Sequence, residues 1–395
     1  MLTSIIKREF QDNLFSFKFS LTLIICLVLF LTSGYLMTED YQKRVERYSA
    51  AKSSQGEKMN ERPPIPLSVL AKGLDNSMGF DQQDNPLFSI FDTLDFMYIV
   101  KVALSLMAIF FSFGLISGEK ENGTLALTMS NAVSRSKVIL GKWIGNYAAL
   151  IVPFLLAAIV ELLVISFSDS IATENEVWTR MGLLILISLV YVSAFFGLGV
   201  FISAITWKAS TSLIISLLVW AVLILVVPST AVLVSRQIVD VPSTQETRQK
   251  KEAISSAMFI ETSRKLNENN VKNEEERKKI WDETWKRIRE EQKKLDDLRK
   301  RQLRRRVSVT KDIARISVSS SYVFAATSFA HTGIEDRQSY DDLAEKSKEE
   351  ADRSRKDLPE SLKVALPDVA LLLIINVLFF MCAYVAFMRY DVRLK

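Results

Sequence analysis

Six long apolar runs separate charged stretches along the chain. A helix needs roughly 20 apolar residues to cross the hydrocarbon core of a bilayer, because its backbone must be hydrogen-bonded internally there. Three basic residues precede the first run, as in a signal peptide, but no small-residue cleavage site follows it, which favours a span. Pro153 predicts a kink in the third run. The six transmembrane helices are predicted over 19–37, 96–118, 144–167, 181–205, 213–234 and 364–388.

The residues before the first run have an amphipathic pattern. Over 1–18, apolar residues fall near one face of a helix and charged residues occupy the rest. A helix of this kind lies in the interface of a membrane, so we predict an N-terminal interfacial helix. The apolar residues of its face are Leu2, Ile5, Ile6, Phe10, Leu14 and Phe17.

The segment 235–363 carries most of the charge of the chain. It contains 30 of the 50 Lys and Arg and 25 of the 45 Asp and Glu, so the formal net charge of +5 belongs to it. A basic excess can indicate anionic lipid or nucleic acid as a partner. Interleaved signs are typical of a solvated helix surface instead, and we expect no nucleic acid.

Two helices are predicted in this segment, over 244–266 and 273–306, which makes the whole chain an all-α integral membrane protein. Five residues of the second helix, four of them apolar, recur at alternating steps of four and three, as in a seam packed on another helix. We expect this narrow seam to pack on a partner helix or on a second copy. The uncharged stretch 316–332 is either a buried element of this domain or a short helix at the outer membrane surface. The seam residues are Trp281, Trp285, Ile288, Gln292 and Leu295.

The distribution of Lys and Arg in the short loops predicts the orientation. With the N-terminus inside, the inner segments hold eleven basic residues against five acidic ones, and the loop 38–95 outside holds seven against ten. Both termini, including the tail 389–395, are therefore expected in the cytoplasm. The loop 38–95 contains four prolines and is predicted to be irregular. The long segment 235–363 is predicted outside, because long domains translocate largely regardless of charge.

Few residues are suited to chemistry. His331 is the only histidine, and the two cysteines, Cys26 and Cys382, lie inside apolar runs without metal-ligand spacing. No paired acids or Ser/His set indicates an intramembrane enzyme. The chain also lacks a G-x-x-x-x-G-K-[ST] phosphate loop, because the Gly-Lys pair at 141–142 is followed by Trp and lacks the preceding glycine. We expect no cofactor in this chain.

The most specific motif follows the second span. It reads SGEKENGTL at 117–125, then VSR at 133–135 and LGK at 140–142. This run resembles the ABC type-2 exporter permeases, whose cytoplasmic loop typically reads E-x-E/x-x-G-T-L, then a Ser-Arg step, then L-G-K. The six spans, the N-terminal helix and the inside termini agree with that family. The large insertion before the last span resembles a subgroup with an extended outer domain.

The resemblance implies that 119–143 is a coupling loop seated in a separate ATPase, which binds ATP and Mg. Glu119 and Glu121 would pair with basic groups of that ATPase, and Gly123 would supply a tight turn. Lys142 would meet lipid headgroups or the ATPase. One six-span unit makes half of a pathway, so a second copy or a paralogous permease is expected. The coupling residues are Glu119, Glu121, Gly123, Thr124, Leu125, Arg135 and Lys142.

Three polar residues lie inside the predicted spans. Lys101 and Glu161 are costly in lipid unless they are paired or face water. They are predicted to pair with each other or to line an outer vestibule; the alternative is that both snorkel to the interface. Asn376 in the last span is predicted to make a helix–helix hydrogen bond.

These features are compatible with three alternative functions. The first is the permease subunit of an ABC exporter in a bacterial cytoplasmic membrane. The second is a mechanical transmitter, in which the ATPase drives the outer helices against a periplasmic or cell-surface partner and nothing is transported. The third is a membrane-anchored interaction or sensor protein that uses its charged helices. The first two need an ATPase partner, whereas the third does not.

Overall fold

The computed structural model describes residues 2–55, 62–73, 94–130, 134–168, 175–269, 273–344, 347, 350–351 and 357–389. Every regular element in these ranges is helical, which confirms the all-α fold. In chain order the main helices are α1 (Leu2–Leu14), α2 (Phe17–Gln55), α3 (Phe96–Glu121), α4 (Thr124–Ser130), α5 (Arg135–Ser166), α6 (Asn175–Ile205), α7 (Ala209–Ile238), α8 (Thr244–Glu268), α9 (Glu274–Ala314), α10 (Val318–Phe329), α11 (Ile334–Ala344) and α12 (Leu358–Met388).

Six of these helices are long and apolar enough to cross a membrane: α2, α3, α5, α6, α7 and α12. They confirm the six predicted spans. Two of them contain a π-helical turn, at Val100–Leu104 in α3 and at Val222–Val226 in α7. The described residues divide into two compact units: a bundle of 1–226 with 317–395, and a second unit of Val227–Ile316.

Helix α2 is longer than its apolar run. It continues to Gln55, so the prediction of an irregular segment from residue 38 is wrong for residues 38–55. No Gly or Pro interrupts these residues, and charged side chains stabilise the extension. Arg44 lies 3.0 Å from Oδ2 of Asp40 and donates to the Ser68 hydroxyl (3.0 Å). Residues 56–61 and 74–93 of the same loop lie outside the described residues.

The uncharged stretch 316–332 contains α10, which lies among the membrane-spanning helices. It packs on α6 and α12 of the bundle, so it is neither part of the charged domain nor a surface helix. Its Tyr322 ring stacks on Tyr191 with centroids 4.4 Å apart, and the Tyr322 hydroxyl lies 2.9 Å from that of Ser188. Small Ser and Ala side chains let the short helix approach its neighbours closely, which explains its burial.

The second unit is an antiparallel hairpin of α8 and α9. Ser243 begins α8 with a capping box, and Asn273 caps α9. The packed face of α9 includes Ile288, which is 3% exposed, and Trp281, whose ring lies 4.8 Å from that of Phe259. The predicted seam therefore packs on α8 of the same chain.

Two seam residues differ from the prediction. Trp285 is 46% exposed, because Thr284, one position earlier, takes the buried position and its hydroxyl lies 3.0 Å from that of Thr262 in α8. Leu295 is half-buried rather than central. The hairpin is held as much by polar contacts as by apolar ones, since Lys251 lies 2.6 Å from Asp296.

Candidate functional site

Helix α1 packs along the first turns of α5, in a groove made by two glycines. Gly141 and Gly145 lie one turn apart in α5, so both face the same side. A Cβ at Gly141 would lie 2.6 Å from Cγ2 of Ile5, and a Cβ at Gly145 would lie 2.7 Å from Cβ of Glu9. Small residues at this spacing let membrane helices approach closely. The N-terminal helix is therefore seated directly on α5.

A charged cluster occupies this junction. The Lys142 side chain is almost fully buried, and its ammonium lies 2.7 Å from Oε1 of Glu9 and 2.6 Å from Oε1 of Glu119. Asn146 donates to the second oxygen of Glu9 (2.9 Å), and Asn13 donates to Oδ1 of Asn146 (2.7 Å). The two carboxylates compensate the desolvated ammonium. The cluster joins α1, the end of α3 and the start of α5.

The structure gives Lys142 and Glu119 different surroundings from those predicted. The sequence predicts that Lys142 meets headgroups or the ATPase and that Glu119 meets the ATPase. The two residues instead pair with each other, because α1 covers the side of α5 from which Lys142 projects. Contact of Glu119 with an ATPase stays a prediction.

The end of α3 is fixed to the connection between α6 and α7. Lys120 is 5% exposed and donates to the carbonyls of Ala204 and Thr206, the latter at 3.1 Å. The Glu121 carboxylate accepts a hydrogen bond from the backbone N–H of Ala209 at the start of α7 (2.9 Å). An acidic group is stabilising there because the first N–H groups of a helix lack partners. Glu121 thus already has a structural contact within the chain.

A tight turn follows and presents the next helix to solvent. Gly123 has a φ of 71°, in the left-handed region that glycine adopts at low cost, as the predicted turn requires. Helix α4 then buries Leu125 and exposes Thr124 and Leu127, the last at 69%. We call this surface the α4 tip: Asn122, Gly123, Thr124 and Leu127.

Arg135 connects the start of α5 to the end of α12. Its Nη1 donates to the carbonyl of Met388 (2.9 Å), and Ser136 lies within hydrogen-bond distance of the Tyr384 hydroxyl (2.8 Å). A cation at the C-terminus of a helix is stabilising, because the last carbonyls lack partners. Arg135 therefore has a structural contact inside the chain, and its predicted coupling role stays a prediction. Val133 of the same motif lies outside the described residues.

The predicted pair of Lys101 and Glu161 is wrong. The structure contains no ion pair between these two described residues, and Glu161 is fully buried in α5, so it neither snorkels nor lines an open vestibule. Its Cγ lies 3.1 Å from the Cβ position of Gly34 in α2, which only a glycine leaves free. Lys101 is half-buried in the π-helical turn of α3. Asn376 donates to the carbonyl of Val190 (2.9 Å), the predicted helix–helix hydrogen bond.

Arg180, which is 2% exposed in α6, was not predicted from the sequence as a functional residue. Its guanidinium lies 2.6 Å from Glu176 and donates to the carbonyl of Phe329 and the hydroxyl of Ser361, both at 3.1 Å. It therefore joins α6, α10 and α12. The i,i+4 spacing of Glu176 and Arg180 at the start of a span could have indicated this ion pair. The glycine spacing G-x-x-x-G at 141–145 could likewise have indicated the groove for α1.

The described residues contain no group of three His, Cys, Asp or Glu side chains that could hold a metal. In a comparison with protein families, residues 3–392 match a family described as ABC-2 family transporter protein. No curated protein matches the chain. The family match includes α1, the charged cluster, the α4 tip and all six apolar helices.

Proposed function

The chain belongs to the ABC-2 transporter family and is a multi-pass membrane subunit, and we propose that it couples ATP hydrolysis by a separate ATPase subunit to export across a bacterial cytoplasmic membrane. ATP and Mg are bound by that ATPase and not by this chain. A second copy, or a paralogous permease, supplies the other half of the pathway. Both termini lie in the cytoplasm.

The observation that carries this proposal is the connection between the α4 tip and the spans. The tip exposes Leu127 to a partner. Behind it, Lys120 and Glu121 hold the end of α3 to the α6–α7 connection, and Glu119 holds it to Lys142 of α5. A push on the tip therefore reaches four spans through direct contacts: α3, α5, α6 and α7. Such a connection is what a separate motor subunit needs in order to move a membrane bundle.

Replacing Leu127 with Glu tests the ATPase contact. In the proposed contact Leu127 is a central, buried residue that becomes a carboxylate, and loss of such a hot-spot residue costs about 2 kcal/mol or more. We expect the purified, tagged Leu127→Glu variant to have roughly thirtyfold lower Mg-dependent ATPase activity per mole of chain than the wild type. The measurement is ATP hydrolysis by the affinity-purified complex.

Leu298→Glu is the matched control, because Leu298 is an exposed leucine (55%) on α9 of the second unit. Its ATPase activity should equal that of the wild type. If Leu127→Glu retained full ATPase activity, or if the wild-type complex had none, the α4 tip would not be the ATPase contact.

The orientation is tested with a cysteine at Ser256, an exposed residue of α8. In a background in which Cys26 and Cys382 are replaced by Ser, we expect Ser256→Cys to react with a membrane-impermeant maleimide on intact cells. A Thr128→Cys variant on α4 should react only after permeabilisation. The reverse pattern would place the termini outside.

The hairpin favours a second function, that of a mechanical transmitter. Helix α9 has 41 residues, so it is about 60 Å long. A long helix packed on the last turns of α7 suits transmission of motion from the membrane to an outer partner. ATP-driven accumulation of labelled substrate in inverted vesicles supports export; ATP-dependent motion of the hairpin without accumulation supports the transmitter.

A further inference from the structure

One stretch of α9, before its C-terminal turns, is basic and contains no acidic residue. The part of the helix from Glu274 to Asp297 has eight basic and nine acidic residues, which neutralise one another. Between Leu298 and Thr310, by contrast, there are six basic residues and no Asp or Glu. We call residues 299–306 the basic segment, which consists of Arg299, Lys300, Arg301, Arg304, Arg305 and Arg306 with two other residues.

Hydrogen bonds within the second unit fix the basic segment beside the end of α7. Arg306 donates to the carbonyl of Val239 at 3.1 Å, and Val239 directly follows α7. Arg299 donates to the carbonyl of Pro242 (3.3 Å) and to the hydroxyl of Thr244 (2.8 Å). Because α7 is apolar enough to cross a membrane, the basic segment lies level with the place where a membrane-spanning helix ends.

The surface around this place combines exposed apolar and exposed basic side chains. On α7, Leu233 and Ile238 are each 59% exposed. On the basic segment, Arg301 and Arg305 are exposed. Burial and the positive charge of Arg236 lower the pKa of Arg306, as expected where basic groups are crowded. Apolar side chains beside a basic cluster suit the boundary of a bilayer, where acyl chains meet headgroups.

We propose that the basic segment binds the anionic headgroups of phospholipids at the membrane surface where α7 ends. Guanidinium groups match phosphate oxygens with two parallel hydrogen bonds, which favours arginine at a phosphate-binding surface. Five of the six basic residues are arginines. Such contacts hold the base of the hairpin at the headgroups and so limit how far it can tilt.

A lipid titration of the full chain in an uncharged detergent tests the proposal. The probe is short-chain phosphatidylglycerol, compared with short-chain phosphatidylcholine, and the measurement is Kd. The variant carries Arg301→Gln, Arg304→Gln and Arg305→Gln, since Gln keeps the helix propensity close to that of Arg. We expect its Kd for phosphatidylglycerol to rise about a hundredfold, because each of the three basic residues near a membrane surface contributes roughly fivefold.

The matched control carries Lys278→Gln, Lys279→Gln and Lys286→Gln, which remove the same charge from exposed positions in the balanced part of α9. Its Kd should stay within about twofold of the wild type, and phosphatidylcholine should bind all proteins alike. Circular dichroism checks that both variants fold. An unchanged Kd in the arginine variant, or an equal loss in the lysine control, would overturn the proposal; so would equal binding of the two lipids by the wild type, as expected if the partner were an acidic protein.

Discussion

Replacing Lys142 with Met should lower the free energy of unfolding by about 3 kcal/mol. The substitution leaves the carboxylates of Glu9 and Glu119 side by side without their shared ammonium, in a site where Lys142 is 4% exposed. Breaking a buried ion pair by removing one partner typically costs about 3–5 kcal/mol. The lower end applies because the two carboxylates are partly exposed, at 20% and 26%. The measurement is denaturant or thermal unfolding of the purified chain in detergent.

A triple variant separates the missing charge from other effects of the substitution. Adding Glu9→Gln and Glu119→Gln to Lys142→Met removes all three charges, so most of the stability should return, to within about 1 kcal/mol of the wild type. If the triple variant were no more stable than Lys142→Met, packing and not charge pairing would be the contribution of Lys142.

Replacing Gly145 with Leu should detach α1 from α5. Even the first atom of the new side chain, Cβ, would lie 2.7 Å from Cβ of Glu9 and 2.8 Å from the carbonyl oxygen of Ile6. These atoms belong to the body of α1, so the helix must move as a whole. Overpacking of this kind costs about 1–3 kcal/mol, which raises the hydrogen-exchange rates of the α1 amides by roughly 5- to 150-fold. The measurement is hydrogen–deuterium exchange followed by mass spectrometry of residues 2–14.

Gly182→Leu is the control for this experiment. Gly182 also lies in a span, α6, but no atom of the described residues lies within 4 Å of its Cβ position. Exchange in α1 should therefore match that of the wild type. If the α1 amides of the Gly145→Leu protein exchanged as slowly as those of the wild type, the glycine groove of α5 would not be what holds α1.

Lys142→Met and Gly145→Leu together test how motion at the α4 tip is transmitted to the spans. The α4 tip follows Glu119 by only a few residues, and Glu119 shares Lys142 with Glu9 of α1. A change that frees α1 should therefore also loosen the end of α3 from α5. In the proposed exporter, ATPase activity that persists in Gly145→Leu while transport falls would identify this junction as a mechanical link.

The spans and the two charged helices were predictable from the sequence because both depend on local pattern. A run such as 181–205 is apolar over its whole length, so its insertion as a helix is favourable whatever it packs against. In α9, Trp281 and Ile288 lie seven residues apart and fall on one face in any helix. The turn at Gly123 was predictable for the same reason, since glycine is the residue that adopts a positive φ at low cost.

The partners of charged groups were not predictable in this way. The sequence indicated that Glu161 needs a partner, and Lys101 was the nearest candidate at the same depth. The structure leaves Glu161 buried against α2 instead, because the rotation of α5 turns it toward Gly34. Trp285 shows the same difficulty. A one-residue shift of the packed face gives the buried position to Thr284 and exposes the indole.

The sequence by itself determined the all-α membrane fold, the six spans, the two charged helices and the motif after the second span. Only the tertiary structure decided that Lys142 binds Glu9 and Glu119, 133 and 23 residues away, and that α10 packs among the spans. The physical reason is that helix formation and membrane insertion add up residue by residue along the chain. The pairing of buried charges, in contrast, depends on which helix faces meet, and that is a property of the assembled bundle.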